Sequence, residues 1–426
     1  RRRTRSVHAQ PVGFDIPMLT ALRRIFFGCL LLIVIPLLFA SGQHVLAFNA
    51  LGSEFLVNTT TANRESMPAA AMNGSGDFVI AWQSESPSGS RNIIAQRYNA
   101  SGAAQFGEFQ VNGATLLLPQ TPAAAMDAAG NFVIVWAGRT LDQLSTIIQA
   151  QRYSAAGILQ GGAITAAVFS GTGQAKPGVA MDAAGDFVVT WQQELTAPDV
   201  DVYARRYNAL GVAQGTAFLV HAASTEEQSS PRVAMTAAGS FVIVWTHRES
   251  ITDYDIYARH FDAAGAALGT AFRVNSYTAG IQSHPTAAVD DAGRYVVVWQ
   301  GAGASDRAGI HAQRFDAADV AQGEAILVNG TTIGTQNAAY VTMSGDGKFM
   351  VTWEHDTNTY TRMYDAAGVP LSIEMMVNVV TTGSQGFATA AVNATGPHAI
   401  IAWTHNGAQA NTPDVYARRY SIDVPS

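Results

Sequence analysis

Short apolar or alternating stretches follow one another along most of the chain, each bounded by glycine, proline, aspartate or asparagine. Residues 176–221 show the order: "KPGVAM", "DAAG", "DFVVTW", a polar loop, "DVYARRYNALG" and "TAFLVH". β-Branched and aromatic residues dominate, and none of these pieces has the 3.6-residue period of a helix. The pattern predicts four strands, here called A to D, with a tight turn between A and B.

Strand B is predicted to be buried on both faces. In "FVVTW", Phe187, Val189 and Trp191 point to one side, whereas Val188 and Thr190 point to the other. Neither side carries a charge. A sheet with two apolar faces must have neighbours packed on both sides, and radially stacked four-stranded sheets meet that requirement.

The tryptophans show that the unit repeats seven times. Their spacings are 54, 55, 54, 54, 54 and 50 residues, a period typical of solenoids, propellers and domain arrays. All seven tryptophans of the chain occupy this one repeated position: Trp82, Trp136, Trp191, Trp245, Trp299, Trp353 and Trp403.

The two ends of the repeat region predict a closed ring. The region starts with an isolated D-type strand, "EFLVN", and finishes with a C-type strand, "DVYARRY". The first strand supplies what the last unit lacks, and closure removes open sheet edges. We therefore predict an all-β fold, a seven-bladed β-propeller of four-stranded antiparallel blades over residues 48–426, closed by the N-terminal strand.

The repeated motifs also carry a resemblance. The combination of "AMDAAG-FVV-W", "YA-R-" and "F-VN" resembles repeats of about fifty residues in exported bacterial proteins that are expected to form propellers. The resemblance covers residues 53–420. It implies an exported interaction protein and transfers no catalytic residue.

The first 47 residues have a different composition and are predicted to be an N-terminal extension and signal peptide, with the signal at 18–47. "RRIFFGCLLLIVIPLLFASGQHVLA" has the basic, apolar and small-residue regions of a Sec signal. An uncleaved anchor and a twin-arginine route are the alternatives. We expect a periplasmic, cell-surface or secreted protein without a membrane span in its mature chain.

Charge and cysteine content argue against some classes of function. The predicted signal region contains six of the 25 basic and one of the 32 acidic residues, so the mature chain would carry a net charge of −12. Such a chain is a poor nucleic-acid binder, because phosphate recognition needs a concentrated basic face. The only cysteine, Cys29, lies in the signal region. We expect a monomer without cofactor or resident metal.

The repeated polar residues are interpreted mainly as structural. Asp182 is replaced by threonine or serine in other repeats, whereas the glycine three residues later is always present. A short polar side chain followed by glycine is typical of a hairpin turn. A repeated arginine in strand C, as in Arg97 and Arg419, is expected to bond between strands or blades.

A repeated glutamine at the start of strand A admits two interpretations. The amides could bond between blades, or they could line the mouth of the axial channel, since ligand sites favour concave openings. Glu65 occupies the place in the first repeat. The predicted ring contains Gln120, Gln174, Gln228, Gln282, Gln336 and Gln385.

The loops between strands B and C vary most and are the predicted ligand surface, because loop variation on a rigid scaffold changes specificity. His247, His355 and His405 follow their tryptophans by two residues. Three imidazoles could bind a metal, but one whole repeat separates two of them. No metal site is therefore predicted. The nearby acids are Glu194, Glu249, Asp253 and Asp356.

Three functions remain open at this stage. The predicted A strands contain no acidic residue, and their only titratable residues are Lys176, Arg232 and His284. A glycosidase needs two carboxylates, and none of the common catalytic motifs is present. We therefore favour a non-catalytic module that binds a glycan, an envelope component or a protein. The alternatives are an extracellular hydrolase or lyase acting on polysaccharide, with Glu65, Glu194 or Glu226 as a carboxylate, and a structural subunit of an envelope complex.

Overall fold

The computed structural model describes residues 47–113, 117–171, 174–196, 199–222, 225–303, 306, 308–394, 396–407 and 412–423. The predicted signal region lies outside this part of the chain, apart from Ala47. The described elements are β-strands, and all pairs between them are antiparallel. In the same residues, no helix is long and apolar enough to span a bilayer.

The strands form seven sheets, and the all-β, seven-bladed propeller is confirmed. Blade 1 contains β3 (Arg64–Met72), β4 (Phe78–Glu85), β5 (Arg91–Tyr98) and β6 (Ala104–Gln110). Blade 2 contains β7 (Leu117–Met126), β8 (Phe132–Arg139), β9 (Ser145–Tyr153) and β10 (Ile164–Ser170). Blade 3 contains β11 (Gly178–Met181), β12 (Phe187–Thr196), β13 (Asp199–Tyr207) and β14 (Phe218–Leu219).

The remaining blades follow the same order. Blade 4 contains β15 (Gln228–Met235), β16 (Phe241–Ser250), β17 (Asp253–Phe261) and β18 (Phe272–Arg273). Blade 5 contains β19 (Gln282–Val289), β20 (Tyr295–Gly301), β21 (Gly309–Phe315) and β22 (Ile326–Leu327). Blade 6 contains β23 (Gln336–Met343), β24 (Phe349–His355), β25 (Asn358–Tyr364) and β26 (Met375–Met376).

Blade 7 joins the two ends of the described chain, as predicted. Its own strands are β27 (Ser384–Val392), β28 (His398–Asn406) and β29 (Asp414–Asp423). Two N-terminal strands, β1 (Ala47–Ala50) and β2 (Phe55–Leu56), pair with the outer edge of β29. Phe48 stacks on Tyr420 with their ring centroids 4.4 Å apart. The closure thus begins at β1, upstream of the "EFLVN" stretch.

The hydrophobic core consists of seven clusters, each lying between two adjacent blades. In the cluster between blades 2 and 3, Val133 and Val135 face Phe187 and Trp191, and all four are buried. Equivalent clusters surround the other tryptophans. Strand B is therefore buried on both faces, which explains its uninterrupted apolar sequence.

The A–B turn holds its aspartate through the backbone. In blade 3, Asp182 Oδ1 accepts hydrogen bonds from the amides of Ala184 and Asp186, both 2.9 Å long. Gly185 has φ of 93°, in the left-handed region. The aspartate therefore acts as a turn residue in this structure.

In five of the seven blades, the repeated arginine links the blade to the next. Arg314 donates to the carbonyl of Ala366 (3.0 Å) from blade 5 to blade 6. Arg419 donates to the carbonyl of Ala100 (2.6 Å) from blade 7 to blade 1, across the point of closure. These bonds confirm the structural interpretation of the arginines.

Candidate functional site

The inner strands of the blades pack against one another around the axis, and each blade has a non-glycine residue in the left-handed region within or just before its inner strand. This backbone conformation is costly for a residue with a side chain. The seven residues occupy one repeated position, 15 or 16 residues before the tryptophan, and we call them the axial mouth: Met67, Thr121, Lys176, Ser230, His284, Ala338 and Phe387.

Hydrogen bonds from the preceding blade hold several of these bends. The amide of Ser230 donates to Gln192 Oε1 (2.7 Å), and the amide of Ala338 donates to Gln300 Oε1 (2.8 Å). The acceptor is in each case the residue after the tryptophan of the preceding blade. The mouth is therefore fixed by the same junctions that hold the ring together.

Blades 3 and 4 make one side of the mouth cationic. Lys176 Nζ donates to Ser230 Oγ (2.8 Å), from blade 3 to blade 4. Burial and the positive charge of Arg232 lower the pKa of Lys176. Glu227 opposes this effect, but its carboxylate lies 3.7 Å from the guanidinium of Arg248.

Arg232 lies two residues further along its inner strand. Its guanidinium donates to the carbonyl of Pro231 (2.9 Å), and burial lowers its pKa. The charge of Arg232 acts on the phenol of Tyr340 in blade 6, although blade 5 lies between blades 4 and 6. Both side chains therefore extend toward the axis. The other five blades have small residues at this position: Ala69, Ala123, Gly178, Thr286 and Thr389.

His284 of blade 5 lies on the same side of the mouth as Lys176 and Arg232. Its imidazole keeps accessible surface at the mouth, while the surrounding strands desolvate it. This desolvation, together with the charges of Lys176 and Arg232, lowers the pKa of His284 to about 4. The ring is therefore neutral at pH 7 and can exchange hydrogen bonds with a ligand.

Lys176 and Arg232 form no ion pair with a carboxylate of the described residues. Within the described residues, no carboxylate lies within 4 Å of Lys176 or Arg232. Desolvated charges are costly unless they are paired, and this pair occurs in a chain with an excess of acidic residues. The arrangement is suited to an anionic group that enters the mouth and supplies the missing charge.

The glutamine ring of the sequence prediction does not line the mouth. The side chains of Gln228, Gln282 and Gln385 are buried and accept hydrogen bonds from the tryptophan indoles of their own blades. The distances to the indole nitrogens are 2.7, 3.1 and 3.1 Å respectively. Glu65 accepts the same bond from Trp82 (2.7 Å) in blade 1. These three amides are therefore structural, as the preferred interpretation had it, but they bond within their blades rather than between blades and do not line the mouth.

The remaining glutamines differ from this pattern. Gln120 is one position out of register with Gln228. It pairs with Ala137, the first residue after Trp136, whereas Gln228 pairs with His247, the second residue after Trp245. The equivalent residue in blade 2 is Pro119. Gln174 is exposed, and Gln336 is buried with its Nε2 donating to the carbonyl of Ile333 (3.1 Å).

The three histidines predicted to lie in the B–C loops are in strands β16, β24 and β28, and each remains in its own blade. Each ring lies against a tyrosine of the neighbouring strand: His247 on Tyr257, His355 on Tyr360 and His405 on Tyr416. His405 Nδ1 is 2.8 Å from Gln385 Oε1, and His355 Nε2 is 2.9 Å from the carbonyl of Ile333. In the described part of the chain, no three metal-ligating side chains form a cluster.

Two of the predicted acids lie beside a predicted histidine of the same blade: Glu249 is 3.5 Å from His247 Nε2, and Asp356 is 3.6 Å from His355 Nε2. Glu249 accepts a hydrogen bond from the hydroxyl of Tyr257 (3.2 Å), and Asp356 accepts one from the amide of Thr335 (3.3 Å). Asp253 is half-buried at the start of β17, and Glu194 lies half-buried near the end of β12. The structure does not bring these residues together with the histidines into one shared site.

Two small cavities lie on the opposite face, where the A–B turns are. One, of about 140 Å³, lies between blades 5 and 6, and the other, of about 90 Å³, lies between blades 1 and 2. In the larger one, Arg294 is paired with Asp290 (2.6 Å). The unmatched charges of the axial mouth make it the stronger candidate.

Comparisons with known proteins identify the fold. No protein-family model matches the chain, and no curated protein matches it significantly. A protein of unknown function from Dyadobacter fermentans DSM 18053 has a TM-score of 0.53 at 10% identity, over 87% of this chain and 98% of that chain. The polysaccharide lyase Uly1 has a TM-score of 0.53 at 10% identity, over 88% and 100%.

A third solved structure is similar over a smaller part of the chain. The α-L-arabinanase of Penicillium chrysogenum, complexed with arabinobiose, has a TM-score of 0.52 at 14% identity, over 75% of this chain and 99% of that chain. At these identities the likeness extends to the propeller fold and not to individual site residues.

Proposed function

We propose that this propeller is a binding module for an acidic glycan, which it recognises at the axial mouth. The observation that carries the proposal is the presence of Lys176 and Arg232 at the mouth without a carboxylate partner in the described residues. Carboxylate or sulfate groups on a polysaccharide would supply the missing charge. Arginine and lysine are the usual partners of such groups.

Binding is favoured over catalysis by the state of the neighbouring groups. A catalytic base works best when its pKa lies near the operating pH, whereas the pKa of His284 is lowered to about 4 by desolvation. Burial raises the pKa of Tyr340, so its phenol keeps its proton. The buried carboxylate of Glu65 is directed into its blade by Trp82 and Ser84.

A polysaccharide lyase or hydrolase is the second candidate. Two of the structural neighbours are named as a polysaccharide lyase and an arabinanase. An elimination on a uronate needs a cation beside the carboxylate, a base for the C5 proton and an acid for the leaving oxygen. Arg232, His284 and Tyr340 have the chemistry for these three tasks, which keeps this alternative open to test.

We further propose that the chain is exported through its N-terminal segment by the Sec route, in line with the repeats that it resembles. Mass spectrometry of the protein recovered from a secreting host tests this proposal. A mature chain beginning near residue 48 is expected, and a full-length chain retained in the cytoplasm would contradict export.

Titration calorimetry of the full chain with hexagalacturonate, a neutral arabino-oligosaccharide and inorganic sulfate tests the binding proposal. We expect saturable binding of hexagalacturonate, at least tenfold weaker in Lys176→Met and Arg232→Gln, since a charged hydrogen bond contributes about 1.5–3 kcal/mol. Lys348→Met is the matched control, because Lys348 is the only other lysine and contacts Asp346 on the opposite face.

The same samples separate binding from catalysis. Chromatography of the hexagalacturonate after prolonged incubation should return it intact. Shortened or unsaturated products that disappear in Arg232→Gln would favour the enzyme. Binding that is unaffected by Lys176→Met and Arg232→Gln would contradict the proposed site.

A further inference from the structure

The axial mouth has a second side, which is apolar. Blades 6, 7 and 1 contribute Ala338, Phe387 and Met67 at the positions equivalent to Lys176 and His284. Phe387 is the largest of these side chains, and 52% of its surface is exposed. An exposed aromatic ring beside a polar opening is a common feature of ligand sites.

The junction between blades 6 and 7 fixes the position of Phe387. Its φ is 53°, in the left-handed region, and its amide donates a hydrogen bond to Glu354 Oε1. Glu354 follows Trp353 on β24 and is half-buried. The ring of Phe387 is thus presented by a rigid inner strand rather than by a loop.

The order of blades places Phe387 across the mouth from the cationic side. In a ring of seven, blade 7 faces the junction between blades 3 and 4, which is where Lys176 donates to Ser230. A ligand that enters the mouth therefore meets positive charge on one side and an aromatic surface on the other. An inorganic anion would use only the first of these.

We propose that the group bound in the mouth is a hexuronate unit, whose C–H face packs on Phe387 while its carboxylate contacts Lys176 and Arg232. This inference rests on the proposed function and specifies its ligand. A pyranose ring has an apolar face of C–H bonds, and such a face packs favourably on an aromatic ring. A uronate combines that face with a carboxylate on the same ring.

Calorimetry with two probes, hexagalacturonate and inorganic sulfate, tests this assignment in the full chain. Phe387→Ala should weaken hexagalacturonate binding about tenfold, since the C–H face of the sugar loses its apolar contact. Sulfate binding should be unchanged, because sulfate needs only Lys176 and Arg232. Phe387→Trp should retain hexagalacturonate binding.

Phe106→Ala is a close control. Phe106 is also exposed (86%) and also has a left-handed φ (63°), but it lies on the outer strand of blade 1. It should leave the binding of both probes unchanged. A Phe387→Ala chain that binds hexagalacturonate as tightly as the wild type would overturn the aromatic contact, while loss in Lys176→Met would still support the anion site. An equal loss of sulfate binding in Phe387→Ala would also overturn it.

Discussion

Lys176 and Ser230 are joined across two blades: the ammonium of one donates to the hydroxyl of the other at 2.8 Å. Both residues have left-handed backbones, with φ of 42° and 56°, and both occupy the same position in their repeats. The bond therefore fixes a cation at the rim of the axial mouth. This single contact connects the repeat architecture to the proposed ligand.

Replacing Ser230 by alanine should loosen Lys176 without removing its charge. One lost hydrogen bond corresponds to about 1 kcal/mol, or roughly a fivefold loss of affinity. The measurement is calorimetric titration of Ser230→Ala with hexagalacturonate. Ser101→Ala, on an exposed outer turn of blade 1, is the control. Full affinity in Ser230→Ala would show that the bond does not position the ammonium.

Phe48 should be important for stability because it closes the ring. It is 6% exposed and stacks on Tyr420 in blade 7. Phe48→Ala should lower the free energy of unfolding by about 3 kcal/mol, the usual cost of removing a buried aromatic ring. Urea unfolding measures this, with Phe106→Ala as the exposed control. Equal stability of the two variants would contradict closure through β1.

Glu65 should make the stability of the protein depend on pH. Burial raises its pKa from 4.5 to about 7, so the folded state holds the proton more tightly than the unfolded state. The resulting stabilisation is complete below pH 4.5 and is lost as the pH rises through about 7. Glu65→Gln should therefore be more stable than the wild type at pH 8, by up to about 3 kcal/mol.

Urea unfolding of both chains at pH 5 and pH 8 tests the Glu65 prediction. Gln282→Glu is the reciprocal variant, since Gln282 is fully buried and accepts the same tryptophan bond in blade 5. It should lose stability between pH 5 and pH 8. A pH dependence that is identical in the wild type and Glu65→Gln would assign the effect to other groups.

His260 and Asp319 replace the arginine and glycine of the arginine-linked junctions, and the two replacements should compensate for each other. At the junctions linked by an arginine, the facing turn has a glycine. At Gly265, for example, an added Cβ would lie 2.6 Å from the side chain of Arg206. In blades 4 and 5 the pair is histidine and aspartate instead. Asp319 accepts bonds from His260 Nδ1 (3.1 Å) and from the hydroxyl of Tyr295 (2.8 Å).

A double-mutant cycle measures the coupling of this pair. Asp319→Gly alone should cost about 1–2 kcal/mol through two lost hydrogen bonds, and His260→Arg alone should clash with the Asp319 side chain. Together they recreate the common junction and should approach wild-type stability, with a coupling of at least about 1 kcal/mol. Strictly additive effects would contradict the exchange.

The fold was predictable from sequence because its signals are repeated. Trp191 and Gly185 recur with their neighbours in each repeat, so the number of blades could be counted. Closure followed from the unpaired strands at the two ends. The extra strand β1 was missed because its four residues, "AFNA", carry little alternation next to the apolar signal region.

The candidate site was less predictable, because convergence on an axis is a property of the ring. Lys176, Arg232 and His284 were visible as the only titratable residues of the predicted inner strands, but they lie more than 50 residues apart in the sequence. Their common neighbourhood depends on three blades packing side by side. The sequence signal for the site was that Arg232 stands where five other repeats have alanine, glycine or threonine.

The channel-lining interpretation of the glutamines failed for a similar reason. A repeated amide at the end of a strand is compatible with a channel lining, and only the register shows that Gln228 is directed toward Trp245. Gln120 was misassigned because a one-residue shift placed Pro119 at the equivalent position. Internal alignment on the tryptophan, rather than on the nearest glutamine, would have found this shift.

Competitive labelling of the two lysines tests the anion site most directly. Burial lowers the pKa of Lys176, so an amine-reactive ester at pH 7 should modify it readily, with Lys348 as the internal reference. Saturating hexagalacturonate should slow the labelling of Lys176 at least tenfold and leave that of Lys348 unchanged, as read by mass spectrometry. Equal labelling of Lys176 with and without hexagalacturonate would contradict ligand binding at the axial mouth.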